Sequence, residues 1–294
     1  MLGEQAAGGS VVVAVDSSAH QLQAVAWGAL EAASRGMALR LVRSFVPEPL
    51  RTPLGADSFA DGHIARAARR LLANAAAYAH AVAPSVRVSA TLPAGSATRQ
   101  FASAVGKPAL VVVGHTDGDR LGGSPFGSTG MALIGCTTCP MAVVRTSIGW
   151  DRSAQAPVVL SLGDEYPPPV NEDVLEYAFL AAERRKVPVV AVEAGENYET
   201  TAILRTVSER FPDIKVCRHI VGEHTSRALV DWTRDAQLLV LGSHPDEGVG
   251  ELAPGSAART AVDFARCPVV LVRPRPAEVT DAGDVSLAPR NIMR

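Results

Sequence analysis

ALVVVGHTDGDRLGGSPFGST, residues 109–129, runs a stretch of aliphatic residues into a loop holding five glycines, then into a Ser-Thr pair that opens a helix-like stretch. A short, continuously apolar run predicts a strand buried on both faces, as in a parallel sheet. Glycines at the end of such a strand let the backbone take positive φ and come close to a ligand. Successive amides, together with the positive end of the following helix dipole, suit a phosphate group. The loop is not a P-loop, because it lacks the GK[ST] ending and contains no lysine. Nor is it the dinucleotide fingerprint, which belongs on the first strand and turn. The first turn here reads VDSSAH (15–20), without glycine.

The surroundings of this stretch occur twice in the chain. Each half opens with an apolar strand, SVVVAVD (10–16) and PVVLSLGD (157–164), followed by an amphipathic helix, QAVAWGALEAASRG (23–36) and DVLEYAFLAAERRK (173–186). Second strands follow at 38–45 and 187–193, third strands at 86–92 and 214–221. Each half then has a short helix, a fourth strand (ALVVVG, QLLVLG), a glycine-containing loop, another helix and a last strand (MAVVR, VVLVR). From the third strand onward one constant offset aligns Arg87 with Lys215, Gly114 with Gly242, Gly127-Ser128 with Gly255-Ser256, and Cys139-Pro140 with Cys267-Pro268. The first half alone carries a Pro- and Gly-rich excursion, VPEPLRTPLGADSFADGH (46–63), which reads as a surface loop or lid.

Strands alternating with helices predict an α/β fold of two tandem doubly wound parallel-sheet domains, Rossmann-like. The boundaries fall at 1–150 and 151–276. Residues 277–294, rich in proline and without apolar periodicity, read as a flexible tail. In such sheets ligands bind beyond the carboxyl ends of the strands, where the strand order reverses.

With 294 residues, 47% hydrophobic and 20% charged, the chain has globular composition and room for two cores. Its net charge of -2 gives no bulk attraction to nucleic acid or anionic membrane, so neither is expected as a partner. No apolar run is long enough to span a membrane, and MLGEQAAGGS lacks the features of a signal peptide, so the expected location is the cytoplasm. The four cysteines do not make a disulfide framework. The pair Cys136 and Cys139 forms a CxxC, but it closes a helical stretch, the wrong end for lowering a thiol pKa by the helix dipole.

At this point the residues resemble a known family. The tandem α/β layout, an aspartate ending the first strand, and a late loop of the form G, two residues, G, nine residues, G[ST] resemble a universal stress protein with two domains in one chain. The resemblance implies the adenine-nucleotide-binding, α/β hydrolase-like variant of this fold, a role in stress response, and ATP or another adenine nucleotide as ligand. It implies Asp16 and Val42 at the nucleoside end, and Gly114, Gly127, Ser128 and Thr129 at ribose and phosphates. It also implies that the last strands of the two halves pair with each other. A homodimer and an unidentified protein partner stay open.

The pattern is not carried through unchanged. Asp117 stands where the family has its second glycine, with Gly118 adjacent, and a carboxylate there would repel phosphates unless a Mg2+ ion lay between. In the second half that position is Pro245, which has no N–H to donate. The first-strand aspartate is replaced by Gly163, with Asp164 one place late, so the second half reads as degenerate.

Other roles compete for the same residues. Asp16 also reads as a helix cap, as do Ser128 and Thr129, because no GxSxG elbow surrounds the pair. His115, Asp117, Asp119, His244, Asp246 and Glu247 are of metal-ligating type but sit in polar loops, and no metal is assigned. Arg66, Arg69 and Arg70 form a basic helix face that reads as solvated. No general base, lysine or arginine finger is placed by motif, so no catalytic residue is assigned and at most weak ATP hydrolysis is expected. A nucleotide-independent interaction scaffold, and a hydrolase or transferase of the same fold, are the alternatives.

Overall fold

The computed structural model describes residues 9–16, 21–43, 57–93, 106–115, 139–145, 154–162, 172–195, 198–222, 225–242 and 257–273. The first half contributes β1 (Ser10–Ala14), α1 (Gln21–Ser34), β2 (Ala38–Val42), α2 (Asp57–Val82), β3 (Val88–Thr91), β4 (Leu110–His115) and β5 (Met141–Arg145). The second contributes β6 (Val158–Ser161), α3 (Glu172–Arg185), β7 (Val189–Ala194), α4 (Tyr198–Arg210), β8 (Val216–Val221), α5 (Thr225–Trp232), β9 (Leu238–Gly242), α6 (Ala257–Phe264) and β10 (Val269–Val272).

The strands form one sheet in the order β3-β2-β1-β4-β5-β10-β9-β6-β7-β8. All neighbours are parallel except β5 and β10, which run antiparallel with Val143 opposite Val269 and Met141 opposite Leu271. The two last strands therefore join the halves, as the family resemblance implies. The continuously apolar strands are buried on both faces, as their composition requires. Val11, Val13 and Val15 face one layer, packed with α1, α2, α3 and α4. Val12 and Ala14 face the other, where α5 and α6 lie.

The repeat extends to the hydrogen bonds. Ala109 donates its N–H to Ser10 and Gln237 to Pro157; Leu39 donates to Arg87 and Val189 to Lys215; Val111 donates to Pro140 and Leu239 to Pro268. These pairs equate Asp16 with Gly163 and Arg43 with Glu193 in the two halves. The first helices end alike: the amide of Met37 reaches Ala32 and that of Val187 reaches Ala182, the long bond that closes a helix through a left-handed residue. That residue is Gly36 in the first half (φ 63) but Lys186 in the second (φ 56).

The excursion predicted at 46–63 is corrected in part. Residues 57–63 belong to α2, a helix of 26 residues, and 46–56 lie outside the described residues. The Pro- and Gly-rich composition of 46–63 reads as loop, yet a single glycine such as Gly62 costs a helix only about 1 kcal/mol. Burial of Ala68, Leu72, Ala75 and Ala79 along one face outweighs that, and α2 packs on α1, β2 and β3. The first strand also ends at Ala14 rather than at Asp16. Among the described residues no helix is long and apolar enough to cross a membrane.

Candidate functional site

The order β2-β1-β4 places the reversal of strand order between β1 and β4, and three of the predicted residues converge there. Asp16 lies two residues past the end of β1 and is half-buried. Val42 ends β2, fully buried, opposite Ala14, and its carbonyl accepts the N–H of Val15 at 2.8 Å. Gly114 lies near the end of β4, two residues past the paired Val112 and Val13. Gly127, Ser128 and Thr129 lie outside the described residues.

Gly114 is not a glycine that packing demands. A Cβ built there would meet only the Cβ of Ala24, at 3.8 Å, an ordinary contact, and its φ is not in the left-handed region. Gly28, in contrast, would place a Cβ 2.5 Å from a methyl of Val13, so its bareness is what lets α1 lie against β1.

Arg43 was not singled out by motif. It follows β2, and its Nη1 donates to the carbonyl of Val15 at 3.5 Å, so a cation lies across the carboxyl edge of β1 beside Asp16. In the second half the equivalent edge carries different charge: Glu193 stands for Arg43, an inversion of sign, and the neutral Gly163 stands for Asp16. The Glu193 carboxylate is 1% exposed and held inside the chain by Nε of Arg218 at 2.8 Å and by its Nη2. Only comparison of the two halves in register makes this inversion visible.

Beyond Gly114, His115 points to the layer that carries α6. Its Nε2 lies 3.6 Å from Oδ1 of Asp263, whose other oxygen accepts from Nε of Arg259 at 2.9 Å. Of the other predicted residues, Arg66, Arg69 and Arg70 are exposed, as a solvated face requires. Cys139 and Cys217 are half-buried and Cys267 is buried, and Cys136, Asp117, Asp119, His244, Asp246 and Glu247 lie outside the described residues.

Two parallel-strand halves of Rossmann-like topology, repeated in tandem and joined through their last strands, define the class. The model of the Universal stress protein family matches residues 9–145 and 180–273. The chain belongs to the universal stress protein family. It is 28% identical over 293 residues to Universal stress protein Rv2005c of Mycobacterium tuberculosis, covering 90% of this chain and 96% of that one. Universal stress protein Rv2624c of the same organism is 29% identical over 274 residues, with the same coverage of 90% and 96%. A universal stress protein of Archaeoglobus fulgidus has a similar fold, with a TM-score of 0.67 at 16% identity, covering 90% of this chain and 98% of that one.

Proposed function

We propose that the first half binds an adenine nucleotide, with ATP the expected ligand, and that the protein acts as a stress-response regulator rather than an enzyme. The observation that carries this reading is Gly114: a glycine at the strand-order reversal, with room for a side chain and no strained φ, is explained by a ligand passing close to bare backbone rather than by the fold. Asp16 and the backbone of Val42 would hold the nucleoside end. Gly114, Gly127, Ser128 and Thr129 would present amides and hydroxyls to ribose and phosphates, with Mg2+ offsetting Asp117. Arg43 adds a cation to this edge.

Two units are proposed, 1–150 and 151–276, with 277–294 as a tail. The second unit serves as a scaffold without nucleotide, a reading supported by the negative charge of Glu193, paired through Oε2 with Arg218, where the first half carries the cation Arg43. The test is release of small molecules from the denatured purified protein and their identification by mass, repeated on Asp16→Ala and Gly127→Val. Adenine nucleotide recovered from wild type and lost from both variants supports the reading. A wild-type protein that carries none, and whose Tm ignores added ATP, overturns it.

A further inference from the structure

The seam between the halves carries more positive charge than it neutralises. Arg35, at the end of α1, and Arg185, at the end of α3, occupy equivalent positions 150 residues apart. Both converge on Glu31: Nε of Arg35 donates to Oε1 at 2.7 Å and Nη2 of Arg185 to Oε2. Ala181 stands where a second glutamate would complete the symmetry, so one carboxylate serves both arginines. A third, Arg184, approaches Glu31 only to 3.9 Å.

The donors left over can be named. Nε of Arg184 is buried and has no hydrogen-bond partner. The Tyr177 hydroxyl accepts from Nη2 of Arg35 at 2.6 Å, which leaves its own proton to donate. Tyr177 and Arg184 lie seven positions apart on α3, on one helical face. The carbonyl ends of α1 and α3 offset part of the excess, by roughly half a charge each, and the Ala181 carbonyl takes Nη1 of Arg185 at 3.1 Å. Three guanidinium groups against one carboxylate and two helix ends still leave about one positive charge. Burial and the neighbouring Arg35 push the pKa of Arg184 down, which is what an uncompensated cation experiences. With side-chain exposures of 9% for Arg35, 14% for Arg185 and 21% for Arg184, the outermost guanidinium is Arg184.

We propose that the α1–α3 seam is a binding site for a small oxyanion of the phosphate class, contacted by Arg184 and the Tyr177 hydroxyl, with Arg35 and Arg185 supplying field behind them. A tetrahedral oxyanion can accept from several guanidinium N–H groups at once, as such charge-assisted contacts favour. The site lies on the α1–α4 side of the sheet. Because Glu31 and Arg35 belong to one half and Tyr177, Arg184 and Arg185 to the other, an anion there ties the halves together independently of any nucleotide.

The test uses the full chain, with inorganic phosphate titrated against chloride at matched ionic strength and read by Tm and by calorimetry. The expected result, in wild type and equally in a Gly127→Val background that removes the glycine loop as a competing phosphate site, is a phosphate-specific rise in Tm and a binding isotherm that Arg184→Gln weakens at least tenfold. Glu31→Gln removes the competing carboxylate and is expected to tighten phosphate binding several-fold, an effect that a merely structural role would not give. No phosphate-specific response, or equal binding by wild type and Arg184→Gln, overturns the proposal. Loss in Gly127→Val alone also overturns it, because the anion would then sit at the glycine loop. If Glu31→Gln does not fold, Arg184→Gln, at a partly exposed position, decides by itself.

Discussion

Glu31 and Arg185, 154 residues apart in sequence, form an ion pair across the seam of the two halves, and the glutamate side chain is only 2% exposed. Burial raises the pKa of that carboxyl, but Arg185, Arg35 and Arg184 lower it by more, so it is held below the ordinary glutamate value. Removing one partner of a buried pair leaves the other charges uncompensated and costs about 3–5 kcal/mol. Glu31→Ala is therefore expected to destabilise by that amount in chemical denaturation. Since the folded pKa is depressed, the carboxylate's contribution is complete above the unfolded value of about 4.3 and fades as pH falls through the folded one. A wild-type protein whose stability does not change more steeply than that of Glu31→Gln in this acid window would contradict the assignment.

The alkaline limb has the opposite sign. Burial pushes the Tyr177 hydroxyl up to about 12, against the lowering effect of Arg35 and with Glu31 adding to the rise. The neutral phenol is favoured in the folded state, so its contribution is intact below the ordinary value of about 10 and is lost as pH climbs through the raised one. Tyrosinate absorbance followed against pH should show one late-titrating tyrosine that Tyr177→Phe removes. A full complement of tyrosines titrating near the ordinary value would refute this.

Two glycines are expected to respond in opposite ways to the same change. Gly28→Ala forces a Cβ against Val13 at 2.5 Å, so overpacking of about 1–3 kcal/mol should exceed the gain in helix propensity of about 1 kcal/mol. Gly114→Ala has space, so its Tm should stay close to wild type while affinity for ATP falls. Thermal melts and equilibrium binding on both variants separate the cases. Unchanged ATP affinity in Gly114→Ala would remove the argument for that residue.

Lys186 ends α3 in the left-handed conformation that Gly36 supplies at the end of α1. A side chain there costs roughly 1–2 kcal/mol, and glycine loosens the unfolded chain by about 0.5–1 kcal/mol. Lys186→Gly should thus stabilise by up to about 1 kcal/mol, measured by denaturant midpoint; a clear loss of stability would contradict this account.

The strands were legible because a buried parallel strand is apolar on both sides, and ALVVV or SVVVA needs no partner to be recognised. Asp16, Val42 and Gly114 entered as candidates through the family resemblance, which the recognisable strands and the glycine loop carried. The start of α2 was not legible, since Gly62 and His63 read as loop residues until the helix's buried alanine face is seen. Arg43 and the Glu31 cluster carried no motif, because their partners lie on elements distant in sequence.

By itself the sequence determined the tandem α/β repeat, the sequence order of the elements and the end of each half at which a ligand is expected, because hydrophobic periodicity and glycine placement are local properties. Only the tertiary structure decided how the halves meet. The antiparallel β5–β10 pairing brings α1 and α3 side by side, so that Arg35 and Arg185 share Glu31. It also brings His115 up to Asp263. Charge pairing across more than a hundred residues depends on where the sheet sets each helix, and no local pattern encodes that.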